Sequence, residues 1–378
     1  DYLALCTDNL SDPEIKLPGD NFNTLLYDDG AGAKTGLGFQ PDVVWVKARG
    51  DTESHRLTDS VRGVEEALTP DTTGVETTYA QGLLAFGSDG FTVGTDDHFD
   101  STTGSGMVAW SWFAGGAPTA DNDNTTGAMD ANSVSLNGSL QAAYTPSGSP
   151  TIYPTRMSID TTSGFSIVSY SGNSVAGATI PHGLSEAPNL VIFKRLTYAG
   201  NWIVGSDGLT SWDYYSDLAE ETAEANYDFF NDVAPTASVI AISAAGAINY
   251  DNTISANGTY IAYCFHSVAG YSQIGYYTGN GLAGGPIIYT GFQPALVLKK
   301  RIDSATNWHI TDNARNPYNV MDLILAPNST IADQSSWNMD FLSNGFKIRD
   351  TSATVNADGG EYLYMAFAEW PLKYSNAR

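Results

Sequence analysis

Five histidines, two cysteines and 42 acidic residues are the side chains of this chain best able to do chemistry. His55, His98, His182, His266 and His309 are scattered, and no two stand at the spacing by which zinc sites pair their ligands. Neither GxSxG nor HExxH occurs, so there is no local trace of a nucleophile elbow or a metalloprotease helix. Asp121-Asn122-Asp123-Asn124-Thr125-Thr126-Gly127 offers oxygens at alternate positions, as a calcium loop does. It lacks the distal bidentate Glu and the flanking helices, so a solvated linker is the better reading and Ca²⁺ the alternative. Asp96, Asp97, His98 and Asp100 form a second acidic turn, where the candidate ligands are again Ca²⁺ or sugar hydroxyls. No other cofactor is expected. Gly279-Asn280-Gly281-Leu282-Ala283-Gly284 matches GxGxxG but feeds Pro286-Ile287-Ile288-Tyr289, not a helix whose N-terminus could hold a pyrophosphate. A carboxylate pair for glycoside cleavage would come from different strands and leave no local trace; no Glu pair shares a strand, and a non-enzymatic protein is expected.

Arg62 and Arg315 each follow an Asp by three residues in a chain poor in Arg, a pattern that fits an Asp–Arg pair pinning a loop better than a ligand clamp. Arg49-Gly50-Asp51 is an integrin-type tripeptide, but it falls where a strand ending at Lys47 must turn, and Gly-Asp is ordinary turn chemistry. Trp202, Trp212, Tyr214, Tyr215 and Trp308 could stack on sugar faces if exposed. Core packing is the commoner fate of a strand aromatic, so the loop-like stretch holding Trp212, Tyr214 and Tyr215 is the preferred glycan candidate. Cys264 lies in the alternating run Thr259-Tyr260-Ile261-Ala262-Tyr263-Cys264-Phe265 and reads as a buried free thiol, with a disulfide to Cys6 as the open alternative.

The elements that must position these groups are strands. The chain has 378 residues, enough for two or three domains, and its 38 Gly, 16 Pro and 21 Tyr favour short strands and tight turns. Against 42 Asp and Glu stand only 17 Lys and Arg, a formal charge of -25 that repels phosphate backbones and anionic lipid, so nucleic acid is not an expected partner. No apolar run reaches the roughly 18 residues that a membrane span needs, and membrane insertion is not expected. There is no initiator Met, as in a processed form or part of something longer.

A self-similarity organises the chain. Gly38-Phe39-Gln40-Pro41-Asp42-Val43-Val44-Trp45-Val46-Lys47 returns as Gly291-Phe292-Gln293-Pro294-Ala295-Leu296-Val297-Leu298-Lys299-Lys300, with a looser copy from Gly183 to Arg195. Downstream, Asn201-Trp202-Ile203-Val204 matches Asn307-Trp308-His309-Ile310, and Asp89-Gly90-Phe91 matches Asn344-Gly345-Phe346. The closing strands are Met107–Phe113, Tyr260–Phe265 and Tyr362–Ala368, alternating as strands with one face on a core should. The expected organisation is all-β, with a lead-in at 1–23, three tandem β-sandwich repeats of jelly-roll or concanavalin-like type at 24–117, 164–270 and 271–372, a loose connector at 118–163 and a tail at 373–378. Repeats two and three abut and should pack rigidly, whereas the connector leaves the first hinged. Ser216 to Ala225 reads as a short surface helix, capped by Ser216.

Leu3-Ala4-Leu5-Cys6-Thr7-Asp8-Asn9-Leu10-Ser11-Asp12-Pro13, the Gly-Phe-x-Pro strands, Asp59-Ser60-Val61-Arg62-Gly63 and Asp312-Asn313-Ala314-Arg315 resemble repeat modules of tailed-phage and prophage proteins, marine ones especially. The resemblance spans nearly the whole chain except the connector. It implies a virion structural protein, of tail-fibre, appendage or surface-decoration type, with lectin-like sandwiches, other virion proteins as partners, a homo-oligomeric state and contact with host surface glycans. A secreted or cell-surface carbohydrate-binding adhesin is the alternative, and a depolymerase a more distant one.

Overall fold

The computed structural model describes residues 9–10, 12–101, 104, 106–250 and 258–375. The protein is built almost wholly of antiparallel β-sheets. One four-strand order occurs three times. In residues 22–112 the opening strand Phe22–Tyr27 pairs with the closing strand Met107–Trp112, which pairs with the middle strand Val43–Ala48, which pairs with the flanking strand Arg56–Asp59. The second unit places Phe165–Ser171, Thr259–Phe265, Leu190–Arg195 and Trp202–Ser206 in that order. The third places Ser272–Thr278, Glu361–Pro371, Phe292–Arg301 and Trp308–Asp312 likewise. A second sheet lies over each: Gly32–Thr35, Gly90–Val93 and Leu83–Gly87 in the first unit, Ala178–Pro181 with Val239–Ile242 in the second, and four strands between Ile287 and Ile348 in the third.

Each sandwich has its own apolar interior, formed for example by Val44, Val46, Met107, Ala109, Leu83 and Phe91 in the first unit. The opposite faces of the three four-stranded sheets do not meet water. Trp45, Val108, Trp110 and Trp112 join Ile192, Ile261, Tyr263 and Phe265 and also Leu296, Leu298, Leu363, Met365 and Phe367 in one central core. The closing strands are therefore buried on both faces, and their alternation separates two cores instead of core from solvent. This corrects the one-faced expectation and also the hinged first unit, which is as deeply embedded as the other two.

The connector is ordered too. Val134–Leu136, Ser139–Leu140 and Arg156–Asp160 join one edge of the second unit's sheet, which reaches nine strands with Tyr214–Asp217 and Ala225–Asn226 on the other edge, and Val134–Leu136 runs parallel to Arg156–Asp160. Val134, Met157 and Ile159 are buried in the second sandwich. Gly115 sits at φ 112° where a Cβ would fall 2.0 Å from the Ile159 carbonyl oxygen, so only glycine lets the chain pass. The expected helix after Ser216 is absent: Tyr214–Asp217 and Ala225–Asn226 pair as strands, because Ser216 and Asp217 bond in register with Val204 and Ile203. The lead-in also contributes, with Ile15 and Phe22 in the central core.

Candidate functional site

The residues most capable of chemistry converge on the three seams between sandwiches. Trp202 pairs with Lys194 and Trp308 with Lys300, and His55, one residue before the Arg56 that pairs with Val46, holds the corresponding place in the first unit. Each donates a ring N–H to a backbone carbonyl of another unit: His55 Nε2 to Ala326 at 3.0 Å, Trp202 Nε1 to Thr72 at 3.1 Å and Trp308 Nε1 to Asp217 at 2.8 Å. The His55 tautomer follows from Trp45 Nε1 donating to its Nδ1 at 3.0 Å, which leaves the proton on Nε2. Two residues past the lysine, the carbonyls of Arg49, Leu196 and Ile302 accept from the backbone N–H groups of Asp333, Glu76 and Glu224 at 2.6, 3.1 and 2.8 Å. The first unit thus reaches the third, the second the first and the third the second, which closes a ring.

Lys47, Lys194 and Lys300 end the three middle strands, each fully buried. Lys194 donates to the carbonyls of Thr73 and Gly200, Lys300 to those of Glu221 and Arg301, and Lys47 to those of Ala48 and Asp51. Burial pushes all three amines down to about 8. Asp59 and Asp312 end the flanking strands of the first and third units, and Arg62 and Arg315 pair with them at 2.5 and 2.6 Å with side chains almost wholly buried. Each pair also receives a donor from a neighbouring unit, Tyr263 OH to Asp59 at 2.7 Å and Trp110 Nε1 to Asp312 at 3.1 Å. The loop-pin reading of these pairs thus extends to pinning one unit on the next. In the second unit the same positions hold Ser206 and Leu209, and the position equivalent to Trp110 and Tyr263 is Met365 in the third unit.

His55, buried and with the Lys47 and Arg315 charges near, is held well below the ordinary imidazole range. Its folded value lies below its unfolded one, so its contribution to stability is present above about pH 6.5 and is lost as the unfolded chain takes up the proton below it. A His55→Trp variant, which borrows the residue of the other two units, removes that titration. Wild type should lose just under about 1 kcal/mol relative to the variant between about pH 7.5 and pH 6 in urea unfolding, and parallel profiles would refute the assignment.

The residues expected to bind sugar do not come together as a surface. Trp212 is 6% exposed, edge-on to Phe230 at 5.1 Å, with Nε1 donating to Asp207 at 2.7 Å. Tyr215 is half-buried against Phe229 and Tyr214 packs on the central core, while Trp202 and Trp308 are buried. The apolar demand of the sandwich takes these rings inward. The acidic turns are likewise held by their own surroundings. Asp121 pairs with Arg156, Asp123 donates its N–H to Asp130, Asp96 accepts from His98, and Asp97 is exposed. No group of three His, Cys, Asp or Glu among the described residues could hold a metal ion. Asp100 accepts from the Gly30 N–H, and the equivalent clasps are amides, Asn249 to Asn173 and Asn356 to Asn280 at 2.8 Å each, so no charge is needed there. Arg49 of the Arg-Gly-Asp turn pairs with Asp333 at 2.8 Å. Cys264 is buried and free, its thiol pushed up to about 12 by burial; Cys6 lies outside the described residues.

A cleft of roughly 530 Å³ opens on the seam between the first and third units, walled by Leu17, Pro18 and Leu37 and carrying Asp20, Asn313 and Glu369. Trp370, 42% exposed, stands on it. Sequence reading passed over Trp370 because it follows the closing strand's apolar run, where the pattern predicts burial. No curated protein and no solved structure matches the chain. A family described as a domain of unknown function, DUF7483, matches residues 17–151, the first sandwich with most of the connector, and residues 141–371, which take in the other two. With the two matches spanning nearly its whole length, the chain belongs to the DUF7483 family.

Proposed function

We propose that this chain is a non-enzymatic structural protein of a tailed-phage particle, a tail-fibre, appendage or surface-decoration component, made of three copies of one sandwich module. The observation that carries the reading is the closed ring of seams. The charged and hydrogen-bonding side chains best suited to chemistry, Lys194, Lys300, Asp59, Arg62, Asp312 and Arg315, hold one unit on another. Repeated modules locked around one core make a rigid platform. The likeness of the Gly-Phe-x-Pro strands to phage repeat modules supplies the particle. Immunogold labelling of purified particles with an antibody against the third unit should place gold on tail appendages or over the head. Unlabelled particles would overturn the reading and leave a secreted or cell-surface protein.

A second reading, contact with host surface glycans, is favoured by the Trp370 cleft, where a half-exposed indole stands beside the Asp20 and Glu369 carboxylates and the Asn313 amide. Titration with host-surface polysaccharide should perturb tryptophan fluorescence, and Trp370→Ala should weaken binding roughly tenfold. Equal affinity of the two proteins would remove the cleft from consideration.

A further inference from the structure

The interior of the third sandwich departs from its two counterparts at one cross-strand pair. Val46 faces Arg56 in the first unit and Phe193 faces Ile203 in the second, while in the third Lys299 faces His309. Arg56 has partners, the His55 carbonyl at 2.8 Å and the Tyr79 ring at 4.8 Å. Lys299 and His309 are each 1% exposed, and Lys299 Nζ, His309 Nε2 and the hydroxyl of Thr311, one pair along on the same face, have no hydrogen-bond partner. Around them lie the apolar side chains of Val297, Met321 and Met339, and Trp337 covers His309 with ring centroids 4.4 Å apart.

Three unpartnered polar groups on one apolar wall are costly unless something bonds to all of them. An unpaired ammonium is disfavoured there, and burial pushes the Lys299 amine down to about 7 and holds His309 well below the ordinary imidazole range. Near neutral pH a large share of the Lys299 amine is therefore uncharged and stands directly opposite a neutral imidazole, a nucleophile beside a proton acceptor. Enclosure restricts the reaction partner to a small, uncharged electrophile.

We propose that Lys299 is a modification site for carbon dioxide, forming a carbamate. The Nζ lone pair attacks the carbon, a C=O bond pair moves onto oxygen, and the N–H proton released passes to His309 Nε2. The products are a carbamate anion and an imidazolium, a pair with no net charge, and both oxygens of the carbamate find donors in the imidazolium N–H and the Thr311 hydroxyl. His309 Nε2 and the Thr311 hydroxyl, which lack partners in the unmodified chain, each acquire one, and the Lys299 nitrogen is no longer a protonatable amine but a neutral amide-like N–H.

The test uses the full chain in bicarbonate buffer. Trialkyloxonium ethylation converts a carbamate to a stable ethyl carbamate, and peptide fragmentation separates Lys299 from Lys300. The adduct is expected on Lys299 and not on Lys47, Lys194 or Lys300, whose amines already donate to carbonyls. His309→Ile, the residue of the second unit, should give roughly tenfold less adduct at a fixed time. Should that variant fail to fold, the wild-type protein in ¹³C-bicarbonate decides the matter by itself. A slowly exchanging carbamate carbon resonance that vanishes on degassing supports the proposal. Absence of both adduct and resonance, or adduct spread evenly over exposed lysines such as Lys16, overturns it and leaves the wall bonded by water only.

Discussion

Phe367→Ala is expected to destabilise the protein by about 3–5 kcal/mol, the range for emptying a buried aromatic site. Phe367 is 2% exposed, and its ring lies 5.1 Å from Phe22, 5.7 Å from Trp112, 6.1 Å from Phe265 and 5.8 Å from Tyr271. Phe22 and Trp112 belong to the first unit and Phe265 to the second, so the void would open where all three sheets meet. Trp112, Phe265 and Phe367 occupy equivalent places on their closing strands, and three ring-bearing sheets cannot collapse into the gap without shifting strands paired on both edges. Urea unfolding followed by tryptophan fluorescence reads all three units, through Trp110, Trp202 and Trp308. A midpoint unmoved in that signal would show that the central core does not couple the sandwiches.

Arg315→Leu should cost about as much, roughly 3–5 kcal/mol, for an electrostatic reason. The guanidinium bonds Asp312 at 2.6 Å, Asp333 at 2.8 Å and the Ile310 carbonyl at 2.9 Å, with the Trp110 ring 5.5 Å away. Removing it leaves the Asp312 carboxylate, completely buried, with the Trp110 N–H and the Arg315 backbone N–H as its donors. The second unit shows how the same place is built without charge, through Ser206 and Leu209. The double variant Asp312→Ser, Arg315→Leu should therefore recover at least about half of the loss, because it removes the unpaired charge along with its partner. A double variant less stable than the single one would mean that the Asp–Arg pair itself, and not its imbalance, holds the seam.

The strands were legible because Gly-Phe-x-Pro turns and apolar runs mark their starts and spans, and the three closing strands stand out in the sequence. What those runs could not reveal was the second buried face. Trp110, Tyr263 and Met365 share no chemistry that would identify them as facing a neighbour, and a run such as Met107 to Trp112 satisfies either arrangement. His55 was unrecognisable as the counterpart of Trp202 and Trp308 because its role is one ring N–H, which either residue type supplies. The recurring basic end of each middle strand was visible, but the carbonyls that Lys194 and Lys300 bond lie more than 70 residues away. Trp212 was misread because the Gly, Thr and Ser around it look like loop, whereas Phe230, contributed from a later turn, encloses it. The connector was missed because strands of two to five residues between Ser, Pro and Gly carry too few alternations to register.

The closed ring of seams has a consequence for dilution. Three sandwiches associating as separate chains would exchange stability for concentration, and would come apart when scarce. Joined in one chain, each meets its neighbours at an effective concentration set by the tether, on the order of millimolar for a short flexible one, and assembly becomes a unimolecular step. Freedom from symmetry follows as well. A trimer of identical chains must repeat any change three times, whereas this chain can place Lys and His in one interior and keep Phe and Ile in another, so that one module specialises while its sisters hold the frame.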